Sequence, residues 1–230
     1  VKDTLRSRLE REFDTIEEVF TIGGREFLLL RPRNADDLIT EVDYVKDERL
    51  PYWADVWPSS MMLAERLLQE KGAGRSLIEL GCGSGLCACA AAISGFDVTA
   101  TDYYDDALSF TELNTRVNAK RAVRTRHVDW SGIPADVGTY DVVLAADVMY
   151  EPRYPAMVAS AIDRLMAPGG HALVADPGRI AFPDFITECS ARGFAITCKD
   201  VREFRSGEIQ QTITIYRITR PAQPRLQTNP

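Results

Sequence analysis

The chain has 230 residues, of which 45% are apolar and 27% charged, and its net charge is −7. This is the composition of one globular α/β unit, long enough to bury a full core. The negative balance argues against a broad footprint for nucleic acid, and no run of about eighteen apolar residues is present to span a membrane.

The first residues, Val1-Lys2-Asp3-Thr4-Leu5-Arg6, lack the apolar core of a secretory signal, and a start at valine suggests a trimmed chain. Residues 5–20 read as an amphipathic helix and 19–30 as a hairpin turned by Gly23-Gly24. A helix is expected at 59–71. Beyond it, strands near 76–80, 97–102, 123–129, 140–146 and 171–176 alternate with helices near 86–94, 105–119, 154–166 and 182–192. That alternation is a βαβ series and implies a parallel sheet. The last strands, 194–204 and 209–219, joined by Ser206-Gly207, add an antiparallel hairpin at its edge, and residues 221–230 read as a frayed tail. The expected fold class is therefore α/β, a doubly wound, mostly parallel seven-stranded sheet. Residues 1–58 form a helix and hairpin extension packed on a core domain of residues 59–220.

Residues 76 to 85, Ser76-Leu77-Ile78-Glu79-Leu80-Gly81-Cys82-Gly83-Ser84-Gly85, read as a buried strand running into a glycine loop that opens a helix. Gly81, Gly83 and Gly85 make a G-x-G-x-G, whereas a dinucleotide site asks for its third glycine one residue later to admit a pyrophosphate. Glu79, two residues before the first glycine, repels phosphates and suits a ligand that carries a cation. In this order the segment resembles motif I of the class I S-adenosylmethionine-dependent methyltransferases, whose cofactor has an amino group and a sulfonium but no phosphate. Asp102 closes the second strand about 20 residues on, where doubly wound folds set a carboxylate on ribose hydroxyls. The competing role, a cap for the next helix, fits Asp105 better. After the third strand, Asp129 is positioned to accept from an adenine amino group and Trp130 to border the base; a solvated turn is the alternative.

Pro51-Tyr52-Trp53-Ala54-Asp55-Val56-Trp57-Pro58 gathers three large aromatic residues ahead of the core. For Tyr52 and Trp53, simple packing is at least as good a reading as a ligand role. Ala146-Asp147-Val148-Met149-Tyr150-Glu151 ends the fourth strand, facing the crevice where such folds bind ligands. Asp147 and Tyr150 are spaced to converge on an incoming amine, or Asp147 is a turn or cap residue. Taken together, the Trp57-Pro58 element, the Glu79 to Gly85 loop, Asp102, Asp129-Trp130 and Asp147-Val148-Met149-Tyr150 resemble the seven-β-strand protein lysine methyltransferases over residues 50–180. The resemblance implies that Trp57, Glu79, Gly81, Gly83, Gly85, Asp102, Asp129, Trp130 and Ala146 hold S-adenosylmethionine, while Asp147 and Tyr150 border an acceptor lysine of a protein substrate. Asp176-Pro177-Gly178-Arg179 looks like a feature of the branch acting on the electron transfer flavoprotein β subunit. A small-molecule N-methyltransferase, or a cofactor-binding module without catalysis, is the alternative.

Methyl transfer needs alignment and exclusion of water rather than a nucleophilic side chain. His127 and His171 read as structural, so water or Asp147 is expected to receive the acceptor's proton. Lys120, Arg121, Arg124 and Arg126 read as a solvated helix end and strand edge rather than a nucleic-acid site. Five cysteines, with Cys82, Cys87 and Cys89 crowded around the glycine loop, show neither zinc nor disulfide-framework spacing. They fit buried thiols of a cytoplasmic protein, with no metal site expected.

Overall fold

The computed structural model describes residues 4–39 and 50–221. In the main sheet, β3 (Ser76–Leu80), β4 (Asp97–Asp102), β5 (Arg124–His127), β6 (Tyr140–Ala146) and β7 (Met166–Asp176) are parallel, and β9 (Ile209–Thr219) and β8 (Ala195–Ser206) continue it antiparallel. The strand order is β5-β4-β3-β6-β7-β9-β8. The chain winds outward from β3 through β5 and then restarts at β6 on the other side of β3. A crevice opens beyond the carboxyl ends of β3 and β6, the switch point of the winding.

Period-two alternation gives the central strands β3, β6 and β7 two buried faces. Leu77, Val142, Leu144 and Leu173 pack on one face with Leu63 and Leu67 of α2 (Pro58–Leu68) and with the small residues of α3 (Leu86–Ile93). Ile78, Val143, Ala172 and Val174 pack on the other with Val158, Ile162 and Leu165 of α5 (Tyr154–Leu165) and with Phe185 of α6 (Phe182–Ala191). The α/β class and the seven strands stand as expected. Among the described residues no helix is long and apolar enough to cross a membrane.

The amino-terminal expectation needs correcting. The helix is only α1 (Thr4–Glu12), and the chain turns at Phe13-Asp14 into β1 (Thr15–Ile22), which pairs with β2 (Arg25–Pro32) in a separate two-stranded sheet. The glutamates at 17 and 18 extend a helical pattern on paper, but Thr15, Ile16, Val19, Thr21 and Ile22 are β-branched and suit a strand. Gly23 and Gly24 make the turn, both at positive φ (+56° and +76°), the geometry that matches strand twist in a two-residue hairpin. Smaller corrections concern ends. The helix expected at 59–71 spans Pro58–Leu68, and the strand expected at 123–129 is only Arg124–His127. β7 starts at Met166, directly after α5, and slips in register between Tyr140 and Val142 of its partner. The terminal hairpin turns on Gly207-Glu208, with Ser206 still paired to Ile209. Residues 222–230 of the expected tail lie outside the described residues.

The two-stranded sheet docks through α4 (Asp105–Ala119). β2 turns one edge to β1, leaving the N–H and C=O groups of Leu28 and Leu30 facing α4, where an unpaired strand edge would be costly. Two asparagines one helical turn apart act in place of a third strand. Asn118 accepts from the Leu28 amide and donates to the Leu28 carbonyl, each at 2.9 Å. Asn114 repeats the pair at Leu30, also at 2.9 Å each, and its amide additionally donates to the Ser84 carbonyl at 2.9 Å. Asn114→Ala takes the side-chain partner from three buried backbone groups and should lower stability by about 2–4 kcal/mol in urea denaturation, with a smaller loss for Asn118→Ala at the half-buried pair. Equal, negligible losses at both positions would show that water replaces the amides.

Candidate functional site

A cleft of about 950 Å³, its open mouth included, lies at the switch point and is lined by the glycine loop, Glu79, Asp102, Asp129, Trp130, Ala146, Asp147, Tyr150 and Trp57. The sequence-expected residues therefore share one cleft. At its floor the Asp102 carboxylate accepts from the Gly83 amide at 3.0 Å and the Tyr104 amide at 3.1 Å, tying the loop after β3 to the end of β4. Burial pushes the Asp102 pKa up, against the pull of these amides. Gly83 and Gly85 serve packing as well as ligand access. A Cβ at Gly83 would lie 2.9 Å from the Trp53 carbonyl oxygen, and one at Gly85 would lie 2.6 Å from the Thr111 hydroxyl, with φ positive at both (+52° and +85°). Trp53 itself is buried against Phe110 and Tyr104 and also lines the cleft.

Glu79 is 3% exposed, and burial, reinforced by the charge of Asp102, lifts its pKa to about 8. Its Oε2 has no hydrogen-bond partner among the described residues, and neither does the buried indole N–H of Trp130. An orphan acceptor and an orphan donor on one cleft are the marks of a polar ligand site. Asp129 accepts from the Ser131 amide at 2.8 Å, which fixes the turn that carries Trp130.

The outer wall of the cleft is a row of rings. Trp57, Tyr52, Tyr150, Tyr154 and Trp130 meet edge-to-face in sequence, with centroids 5.9, 5.1, 4.9 and 5.5 Å apart. The Trp57 indole donates to the Tyr52 carbonyl at 2.9 Å, which holds the row's first corner. A second cleft lies beyond the row, lined by Tyr52, Trp57, Asp147, Tyr150, Glu151 and Arg179 among others, so Trp57, Asp147 and Tyr150 face both spaces.

Asp147 occupies the left-handed region, φ +57°, which aspartate tolerates better than most residues. Its carboxylate is buried and already engaged: Arg179 Nε donates at 2.7 Å and the Ser59 hydroxyl at 3.3 Å. The Arg179 guanidinium also stands 5.5 Å over the Trp57 ring. Asp176 accepts from the Gly178 and Arg179 amides at 2.7 and 2.8 Å, which aims that arginine inward. Arg179, Tyr154 and Ser59 were not among the expected site residues. Arg179 sits in the quoted Asp176-to-Arg179 run, so its signal was present; Tyr154 and Ser59 look like ordinary helix residues.

Neither histidine lines either of these two clefts. His171 is buried with its pKa lowered to about 4 by burial and so is uncharged at neutral pH, and His127 is half exposed beside Asp105. The basic quartet is largely paired within the chain, Arg124 with Asp97, Arg126 with Asp136 and Arg121 with the Ala92 and Phe96 carbonyls.

The fold is that of the Rossmann-like methyltransferases. The ribosomal protein L11 methylase of Lactobacillus delbrueckii subsp. bulgaricus superposes with a TM-score of 0.53 at 22% identity, over 70% of this chain and 76% of that one. A lysine methyltransferase family model matches residues 42–181, and the chain belongs to that family. Among curated relatives it is similar to the electron transfer flavoprotein beta subunit lysine methyltransferase of Danio rerio, 32% identical over 142 residues, covering 58% of this chain and 53% of that protein. It is also similar to EEF1A lysine methyltransferase 3 of Mus musculus, 34% identical over 138 residues, 57% and 58% of the two chains. The chain spans about half the length of the curated relatives it matches.

Removing Arg179 should expose how far Asp147 depends on it. Arg179→Gln leaves a buried carboxylate without its cation and should cost about 1–3 kcal/mol of stability, since the guanidinium is itself a third exposed. Adding Asp147→Asn should recover most of that loss. Chemical denaturation of the single and double variants reads the coupling; additive losses would mean that the pair contributes nothing.

Proposed function

We propose that the chain is an S-adenosylmethionine-dependent protein lysine N-methyltransferase. The observation that carries this reading is the pair of clefts sharing the wall of Trp57, Asp147 and Tyr150, one of them lined by the buried Glu79 carboxylate, whose Oε2 has no partner among the described residues. The residues fit the cofactor. Glu79 offers a negative group to its amino and sulfonium charges, Asp102 accepts from ribose hydroxyls, and Trp130 borders the adenine with Asp129 at its amino group. Gly81 and Ala146 let it approach closely. Among the described residues no lysine or arginine lines this cleft to hold a phosphate. When bound, the cofactor supplies a methyl group activated on sulfur.

The remaining work falls to the protein's own side chains. Trp57 and Tyr52 wall the acceptor side and exclude water, so that a lysine side chain entering from the second cleft meets the methyl in line. Tyr150 orients the amine. Asp147, with Arg179 on it, presents a neutralised pair rather than a bare anion, which lowers the pull toward an ammonium. The electron transfer flavoprotein β subunit is the first acceptor to try, on the strength of the Danio rerio relative and the Asp176-to-Arg179 run. A cytoplasmic setting agrees with five free cysteines, four of them buried.

Incubating the chain with methyl-labelled S-adenosylmethionine and proteins of its own source should place label on lysine side chains, identified by mass spectrometry. Label confined to small metabolites would turn the reading to a small-molecule N-methyltransferase. Cofactor binding should also release a proton. Glu79, ordinarily ionised above 4.5, titrates near 8 in the ligand-free fold, so it subtracts stability as pH rises from 4.5 to about 8. A docked cation draws that proton off. Calorimetry at pH 7 in buffers of differing ionisation enthalpy should therefore report release of about one proton, absent in Glu79→Gln. Identical heats in all buffers would move the cation elsewhere.

A further inference from the structure

The acceptor amine must shed a proton before it can be methylated, and with Asp147 held by Arg179 the reading above leaves the proton without a destination. The aromatic wall contains one. Tyr150 and Tyr154 lie edge-to-face and hydrogen-bond through their hydroxyls, and because Tyr154 gives its one hydrogen to Glu151, Tyr150 is the donor of that bond. Tyr154 in turn donates to Glu151 Oε1 at 3.0 Å, and Glu151 is anchored by Arg153 at 2.7 Å. The phenolic hydrogens of Tyr150 and Tyr154 thus run toward Glu151. Because Tyr150 spends its one hydrogen on Tyr154, what it offers its open side is a lone pair, the group an ammonium N–H needs. Glu151 ends the row on the second cleft, with part of its side chain in solvent.

We propose that Tyr150, Tyr154 and Glu151 form a proton relay that carries the acceptor lysine's proton out of the closed site. This rests on the lysine methyltransferase reading. The ammonium N–H bond breaks as its proton goes to Tyr150 Oη. The Tyr150 hydrogen moves to Tyr154 Oη, and the Tyr154 hydrogen to Glu151, which becomes a carboxylic acid and later gives the proton to water. The amine keeps the electron pair, which forms the N–CH3 bond as the S–CH3 bond breaks and its electrons return to sulfur. Neither tyrosine gains or loses charge overall, as befits phenols whose burial raises their pKa and disfavours a lasting phenolate. The charged groups facing the row are Arg153, whose guanidinium also lies 5.4 Å over the Tyr154 ring, Asp102 on the cofactor side, and the Asp147–Arg179 pair across the second cleft. Tyr150 touches the acceptor; Tyr154 and Glu151 act through it.

The test compares Glu151→Gln, which keeps an acceptor oxygen but takes up no proton, with the wild-type chain. Methyl transfer from labelled S-adenosylmethionine to the electron transfer flavoprotein β subunit, and to whole-cell protein in parallel, is followed from pH 6.5 to 9.5. The relay requires kcat of Glu151→Gln to fall about 10-fold at the acid end with KM unchanged, and the deficit to close as pH rises, because the amine then arrives neutral. Tyr154→Phe should show the same pH signature. A deficit equal at every pH, or none, overturns the relay while wild-type activity leaves the lysine reading standing. Wild-type protein that labels no lysine in either sample overturns both.

Discussion

Four adjacent strands of this sheet end in buried acids: Glu79 on β3, Asp102 on β4, Asp147 just past β6 and Asp176 on β7, each 6% exposed or less. Burying one carboxylate is costly, and burying four side by side demands compensation. The protein supplies backbone amides to Asp102 and Asp176 and one guanidinium to Asp147. Glu79 has the Cys87 thiol and the Ala88 amide, but among the described residues its Oε2 has no partner, and neither does Asp176 Oδ2. The ligand-free fold meets that deficit by protonation, and a cationic ligand meets it by charge. The winding of the chain creates the crevice, and of the acids that line it Glu79 is the one left with an unpartnered buried oxygen.

The aromatic row gives the second half of the site its form. Edge-to-face rings are stiff and leave few gaps for water, so the two clefts communicate without merging. The two tryptophans end the row, and the tyrosines between them bring hydroxyls into a wall that would otherwise be apolar. Packing and polar chemistry are thus assigned to the same side chains, and a change in any ring alters both.

The sheet was legible because alternating buried strands and helices leave a strong periodic trace, and the glycine loop because its acid and glycines are contiguous. The lower part of the hairpin was not: Glu17 and Glu18 continue a helical pattern that only pairing with β2 overrides. Side chains of the site separated by long stretches of chain were harder still. That Arg179 would lie on Asp147, or Tyr154 donate to Glu151, depends on which loops the sheet brings together and not on spacing within a motif. Trp53, for which packing is at least as good a reading as a ligand role, packs on Phe110 and also lines the first cleft, while Tyr52 joins the wall between the clefts.

Asn114 touches both the strand edge at Leu30 and the glycine loop at Ser84, and Trp53 sets its carbonyl against Gly83. The family match begins at residue 42, so the hairpin lies outside it. A chain cut at residue 58 would keep every strand of the main sheet yet lose the buttress behind its ligand loop. The hairpin is thus scaffolding for the glycine loop, and sequence drift in it is answerable to the loop's posture.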